Sequence, residues 1–327
     1  MKRCGHLIER IADIDNLREA FLLTARGKNS NRETIQFRDH LEEELFLIHT
    51  QLLDGSYRFG NYHFFTIYDP KRRIICAANF RDRVTFQAMM RVCDNIFEKY
   101  QINCSFASRR DMGVYKAINK AQDYSRRFKW FVKMDVCHLF DSIDHDCLKR
   151  MLASLFKDRM LLRFFDILID GAESSKGKGL PIGNLTSQYF ANHYMAVADH
   201  YAKERLHVVA MVRYMDDVVF WGNDKAILLK QTEAYAYYLR NQLKLQLHPI
   251  VINYTARGFS FLGYLVYPHT LRLNQRSRSR FRHKYTNLTK KFEEGSITQQ
   301  EYQIRLLSLL AFIEKADTIG FRKTLGL

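Results

Sequence analysis

The chain has 327 residues, with 51 Lys and Arg against 35 Asp and Glu, a formal charge of 51 − 35 = +16. With 47% hydrophobic and 13% aromatic residues it can bury a core, which excludes a disordered basic tail, and its charge points to a polyanionic partner. The longest apolar run, Leu306 to Ile313, is far short of the roughly 20 residues of a membrane span; with no legible secretory signal and six cysteines lacking any Cys-x-x-Cys pair, a reduced cytoplasmic protein is expected.

From residue 6 to 54 apolar residues recur at three and four, as in Leu41, Leu45, Ile48 and Leu52, predicting helices that Asp54-Gly55 ends. Tyr62 to Tyr68 and Arg73 to Ala77 predict a strand pair joined by the basic turn Asp69-Pro70-Lys71-Arg72. A long helix is expected from about Asp82 to Tyr100, a strand over Phe131 to Val136, and a helix from Asp144, a good N-cap, to Phe156. Gly171 to Gly183 reads as a loop, with another helix starting near Asn184. Val208 to Val212 and Val218 to Trp221 predict a hairpin around Arg213-Tyr214-Met215-Asp216-Asp217. Ala226 to Leu243 is helical in pattern and Gly258 to Tyr267 returns to strand. Arg272 to Lys291 carries eight Lys and Arg and no acid, a separate basic helical subdomain. The alternation is α+β, without regular βαβ units.

Asp216 and Asp217 stand out because Met215, Val218, Val219 and Phe220 flank them, and burying an unpaired carboxylate costs several kcal/mol (about 3–5). An Asp-Asp pair alone is as well explained by a solvated turn. Asp135 ends a second apolar strand and would supply a third oxygen ligand beside them. Hard Mg²⁺ is the expected compensation, and two such ions could activate an attacking oxygen and stabilise a leaving one.

Tyr214-Met215-Asp216-Asp217 resembles the Tyr-x-Asp-Asp signature of reverse transcriptases, and the likeness runs in order over about residues 55 to 290. The resemblance implies a right-hand polymerase fold: a helical N-terminal extension over 1–54, fingers over 55–125, a palm over 126–255 with finger elements interleaved around 145–180, and a primer grip with a basic helical thumb over 256–327. Asp135-Val136-Cys137-His138-Leu139-Phe140 is similar to the first palm motif, implying Asp135 as shared metal ligand with Asp216 and Asp217, and a carbonyl ligand from Val136. Two Mg²⁺ ions are implied as cofactors. Phe140 is implied as a gate against a ribose 2′-hydroxyl, although an ordinary core phenylalanine fits it too. The nucleotide site would draw on Lys71, Arg73, His138, Leu139, Phe140, Ile182 and Gly183. Template and primer would meet Arg81, Arg109, Ser187, Gln188, Tyr214, Met215 and the hairpin Phe261-Leu262-Gly263-Tyr264. Arg276, Arg278, Arg280, Arg282 and Lys284 of the thumb would contact an RNA–DNA duplex by shape and phosphate.

Ile182 stands where most of the family carries Gln, and Gln188 where it carries Pro. Ile182-Gly183-Asn184-Leu185-Thr186-Ser187-Gln188 resembles the reverse transcriptases of diversity-generating retroelements, which copy a template-repeat RNA into cDNA with errors opposite adenine and work with a small basic accessory protein. Such a partner would meet this chain through bound RNA or an acidic patch such as Glu42-Glu43-Glu44. A reverse transcriptase of a retron, group II intron or phage-defence system, an RNA-dependent RNA polymerase, and a non-catalytic RNA-binding relative are the alternatives. The proton donor to pyrophosphate is unassigned between His248 and Lys244. From the remaining length neither an RNase H nor an endonuclease domain is expected, and no membrane partner is expected.

Overall fold

The computed structural model describes residues 3–68, 72–171 and 175–327. Four helices come first: α1 (Ile8–Ala12), α2 (Ile14–Ala25), α3 (Arg32–Asp39) and α4 (Leu41–Asp54). Gly55 closes α4 in the left-handed conformation at φ 76°, as the Asp-Gly signal predicted. Strands β1 (His63–Ile67) and β2 (Arg73–Ala77) pair antiparallel, Phe65 opposite Ile75. Asn79 then caps α5 (Phe80–Tyr100), accepting from the Asp82 amide, so the long helix begins two residues before the expected start.

Next come α6 (Val114–Arg127), β3 (Trp130–Asp135), α7 (Leu139–Ser142), α8 (His145–Leu155) and α9 (Arg159–Asp170). Asp144 caps α8 by accepting from the Cys147 amide at 3.0 Å. Helix α10 (Leu185–His200) runs into one π-helical turn, Tyr201–Arg205. It is followed by β4 (Ala210–Tyr214), β5 (Asp217–Gly222) and α11 (Lys225–Gln242). The last part contains β6 (Val251–Tyr254), β7 (Phe259–Phe261), β8 (Tyr264–Val266), β9 (Leu271–Leu273), α12 (Gln275–Glu293), α13 (Gln299–Glu314) and α14 (Ile319–Lys323). The strand-forming stretch Gly258 to Tyr267 is folded into the hairpin β7–β8 at Phe261-Leu262-Gly263-Tyr264, and Arg272 lies on a strand, not in the basic helix. Among the described residues no helix is long and apolar enough to cross a membrane.

The chain divides into two compact units, each woven from three segments. The first comprises Met1–Arg109, Val136–Leu206 and Ala234–His248. Its core joins α2, α5, α9 and α10 through Leu17, Phe21, Met89, Phe165 and Phe190, all buried. Phe97 meets Phe156 at 5.4 Å between ring centroids, and Phe165 meets Phe190 at 5.1 Å, so aromatic edges lock the helices together.

The second unit comprises Arg110–Asp135, His207–Glu233 and Pro249–Leu327. A four-stranded antiparallel sheet of order β4-β5-β3-β6 forms its centre, and a three-stranded sheet of order β7-β8-β9 accompanies it. Phe131, Val132, Met134, Val218, Val219 and Phe220 are buried, which explains why β3 and β5 read as continuous apolar runs. Helix α6 packs on this sheet through Ala117, Ile118 and Ala121, and the Trp221 indole donates to Ser125 Oγ at 3.2 Å.

Candidate active site

The three acids singled out in the sequence meet at one end of the four-stranded sheet in the second unit. Asp135 closes β3 and Asp217 opens β5, and the two are directly paired across the ladder. Tyr214 pairs with Asp217 on the other side, leaving Met215 and Asp216 as the two-residue turn of the β4–β5 hairpin. The Asp-Asp signature is thus split between a turn and a strand. Met215 takes a left-handed φ of 56°, a conformation that costs about 1 kcal/mol for a residue with a Cβ. Arg213 supports that turn from beneath: its side chain is fully buried and Nη1 donates to the Met215 carbonyl at 3.1 Å.

The electrostatics of the cluster centre on Asp217, whose side chain is only 16% exposed. Burial pushes its carboxyl up to about 7, the Lys133 ammonium acts in the opposite direction, and the neighbouring charges of Asp135 and Asp216 push it up further. Lys133 Nζ lies 3.2 Å from Asp217 Oδ1, an ion pair to a buried oxygen that has no other partner. The three carboxylates are neighbours without being a preformed cage: among the described residues no group of three or more His, Cys, Asp or Glu side chains is arranged to hold a metal ion. Their chemistry still suits a hard divalent cation, since all are oxygen donors and one donor atom lacks a hydrogen-bond partner.

The first unit holds most of the residues expected at the nucleotide. Arg73 is exposed on β2, and Lys71 lies outside the described residues. The segment after the glycine-rich loop is a strap linking two other elements. Gly179 N donates to the Ile143 carbonyl at 2.9 Å, Leu180 N to the Phe140 carbonyl at 2.8 Å, and Cys76 N of β2 to the Ile182 carbonyl at 2.8 Å. Phe140 and Ile182, far apart in sequence, are thereby tied to one backbone network. Gly183 has φ 119°, and a Cβ there would lie 2.8 Å from Ile75 Cγ2 and 3.3 Å from the Cys76 carbonyl oxygen. His138 is exposed at a left-handed φ of 44°, and Phe140 is half-buried. Val136 and Leu139 are buried, so neither offers its side chain to a ligand.

Several residues expected to touch template or primer are committed elsewhere. The Arg109 side chain is 5% exposed; it pairs with Glu98 and donates to the carbonyls of Ile102 and Ser105 at 2.6 and 2.8 Å. It holds the end of α5 to the segment that follows it. Arg81 is bound to Glu44 at 3.3 Å and to Gln51 at 3.0 Å, and lies over the Tyr57 ring. Ser187 is buried, while Gln188 accepts from Ser108 Oγ at 3.1 Å and is half-buried. Phe261 and Tyr264 are core residues, Tyr264 donating to the Phe312 carbonyl at 2.7 Å; the turn between them is Leu262 and Gly263. Tyr214 and Met215 are half-buried at the acidic hairpin.

Arg276, Arg278, Arg282 and Lys284 are exposed and Arg280 is half-buried. At about 100° per residue, α12 puts Arg276, Arg280 and Lys284 on one face and Arg278 and Arg282 on another, so the basic run is two stripes. Arg278 stacks over Phe321 at 5.1 Å. Lys244 is salt-bridged to the α8 cap Asp144 at 2.5 Å, whereas His248 is exposed. Glu42, Glu43 and Glu44 pair with Arg18, His40 and Arg81, so the acidic patch is largely spent within the chain.

Lys133 and Arg213 were not among the residues expected at the site. Lys133 was legible in principle: it sits two positions before Asp135 on a strand, hence on the same face.

Residues 69–266 match the family model described as "Reverse transcriptase (RNA-dependent DNA polymerase)". The COX1/OXI3 intron 1 protein of Saccharomyces cerevisiae is 26% identical over 167 residues, covering 48% of this chain and 20% of that protein. Protein YkfC of Escherichia coli is 23% identical over 329 aligned positions, 80% of this chain and 83% of its own length. The chain thus spans about a fifth of the yeast relative and most of the bacterial one. Apo telomerase from Candida tropicalis shares the fold, with a TM-score of 0.52 at 12% identity over 71% of this chain and 53% of the telomerase chain.

Proposed function

The chain belongs to the reverse transcriptase family, whose model matches more than half of it, and from that premise we propose that it copies RNA into DNA, in the manner of the diversity-generating retroelements. The observation that carries the polymerase assignment is the pairing of Asp135 with Asp217 beside the Asp216 turn, which gathers three carboxylates at one sheet end of a strongly basic protein. Asp135, Asp216 and Asp217, with the Val136 carbonyl, would hold two Mg²⁺, which when bound supply activation of the primer 3′-hydroxyl and neutralisation of the leaving pyrophosphate.

The chain's own groups do the remaining work by position. Arg73 would face the triphosphate, with Lys71 beside it in sequence, and fork and point-charge donors suit a polyphosphate. Phe140 would pack against the sugar and exclude a 2′-hydroxyl. Ile182 would meet the nucleotide with apolar shape where a glutamine would hydrogen-bond it, and apolar shape discriminates by only about 1–3 kcal/mol. That weakness, together with Gln188, supports the error-prone subtype. The accessory protein of that subtype would meet this chain through bound RNA, since the acidic triplet is engaged internally.

The yeast intron relative favours a second reading, an intron-type reverse transcriptase. Primer extension on an RNA template separates the outcomes. Native protein with Mg²⁺ extends the primer and misreads adenine, whereas Asp216→Asn binds the duplex without extending it. Extension by Asp216→Asn would remove the carboxylate assignment, and a uniform error spectrum would favour the intron-type enzyme.

A further inference from the structure

Lys133 is half-buried beside the acids in a way that simple surface solvation does not explain. It lies on β3 two residues before Asp135, and its register partner on β5 is Val219, two residues after Asp217. Lys133 therefore shares the sheet face of Asp135 and reaches diagonally to Asp217, ending 3.2 Å from Oδ1 with its side chain only 22% exposed. Asp217 Oδ1 is otherwise without a hydrogen bond.

We propose that Lys133 is a positioning residue that holds Asp217 as its counter-ion and yields it to a divalent cation, so that loading the carboxylates is an exchange of an ammonium for a metal ion. The inference rests on the assignment of Asp135, Asp216 and Asp217 as the metal-holding set. An ammonium on four methylenes is well matched to such an exchange, because it is a compact charge that can neutralise Asp217 and then swing away, which a planar guanidinium does less readily. No bond to carbon forms or breaks; a charge pair is exchanged.

The consequence is a competition between Lys133 and the metal for one oxygen. Full-length protein freed of divalent ions is titrated with MnCl₂ at one fixed pH, by calorimetry and by the free-ion paramagnetic resonance signal. Lys133→Met should bind Mn²⁺ about three- to tenfold tighter than the native chain, because a partly exposed pair of modest strength has been removed from the competition. It should also melt lower than the native chain without metal and gain more on saturation. Lys133→Arg keeps the competitor and should bind no tighter than native. Should Lys133→Met fail to fold, Lys133→Gln makes the same comparison.

An affinity of Lys133→Met within twofold of native, while Asp135→Asn abolishes binding, would overturn the exchange and leave the metal assignment standing. Unchanged Mn²⁺ binding in both Asp135→Asn and Asp216→Asn would overturn the metal assignment, and the exchange with it.

Discussion

The Ile182 carbonyl accepts the Cys76 amide at 2.8 Å, so the backbone of the residue proposed to meet the nucleotide with apolar shape is anchored to strand β2. Because the anchor is a main-chain bond, a side chain can be exchanged at 182 without releasing the loop. Ile182→Gln should therefore leave folding intact and reduce misincorporation opposite adenine, by about tenfold if an amide hydrogen bond is restored. Sequencing cDNA from a mixed RNA template checks this; an unaltered error spectrum would count against a role for Ile182 in selection.

Gly183 follows at φ 119°, pressed against Ile75 and the Cys76 carbonyl. Gly183→Ala adds both backbone strain and a close contact, and should destabilise the protein by about 1–3 kcal/mol. Thermal melting of the variant is the measurement, and an unchanged melting temperature would mean that the strap relaxes freely.

Asp217 links stability to pH in a direction opposed to the metal-holding role proposed for it. Its carboxyl titrates at about 7 in the folded chain, against an ordinary value of 3.8. Between those values the folded state holds a proton that the unfolded state has lost, so stability falls as pH rises from about 4 through 7. Asp217→Asn removes this penalty. Measured without divalent ions, the variant's stability relative to native should improve from pH 4 to pH 8, by on the order of 1–4 kcal/mol, while primer extension is lost. A difference independent of pH would refute the buried charge.

His193 acts in the acid range. The ring is buried beside Phe97 and Tyr100, and burial lowers its pKa from 6.5 to about 4, a backbone contact from Met151 offsetting little. Here the unfolded chain takes the proton first, so stability is full above about 6.5 and drains as pH falls toward 4. The loss is on the order of 2–3 kcal/mol. Denaturant melts of His193→Phe across that window should show a flatter profile than the native protein.

The two basic stripes of α12 predict a salt-dependent grip on nucleic acid. Arg276→Gln and Arg282→Gln, one from each stripe, should each lower the slope of log K against log[salt] by about 1 if each meets a phosphate. A variant that leaves the slope unchanged identifies the stripe that faces away from the duplex.

What was legible in the sequence were the features that local patterns encode. The Asp-Gly stop at Gly55, the Asp144 cap and the apolar strands around the acids all occur as expected, because caps and periodicity act over a few residues. The gathering of Asp135 with the Asp-Asp pair was expected from apolar strands that end in acids and from the family resemblance, but the pairing of Asp135 with Asp217 was not legible, since a cross-strand register leaves no mark in one sequence. Helices α6 and α9 are absent from the elements expected above although both are strongly amphipathic; α6 follows Gly113 without a side-chain cap. The partners of the charged residues were the least legible. Arg81 and Arg109 look like any exposed arginine, and only their partners Glu44 and Glu98, supplied by distant segments, turn them into internal struts.

The interleaving of the two units carries a consequence for synthesis. The first unit includes Ala234–His248 and the second begins at Arg110, so on the ribosome neither can close before residue 248 has emerged. Strand β3 is made well ahead of both its partners, β5 and β6, a high contact-order arrangement that folds slowly and exposes strand edges. Slowed translation between β3 and β6 should therefore lower the soluble yield of this chain, which a comparison of soluble fractions with and without slow codons in that stretch would check.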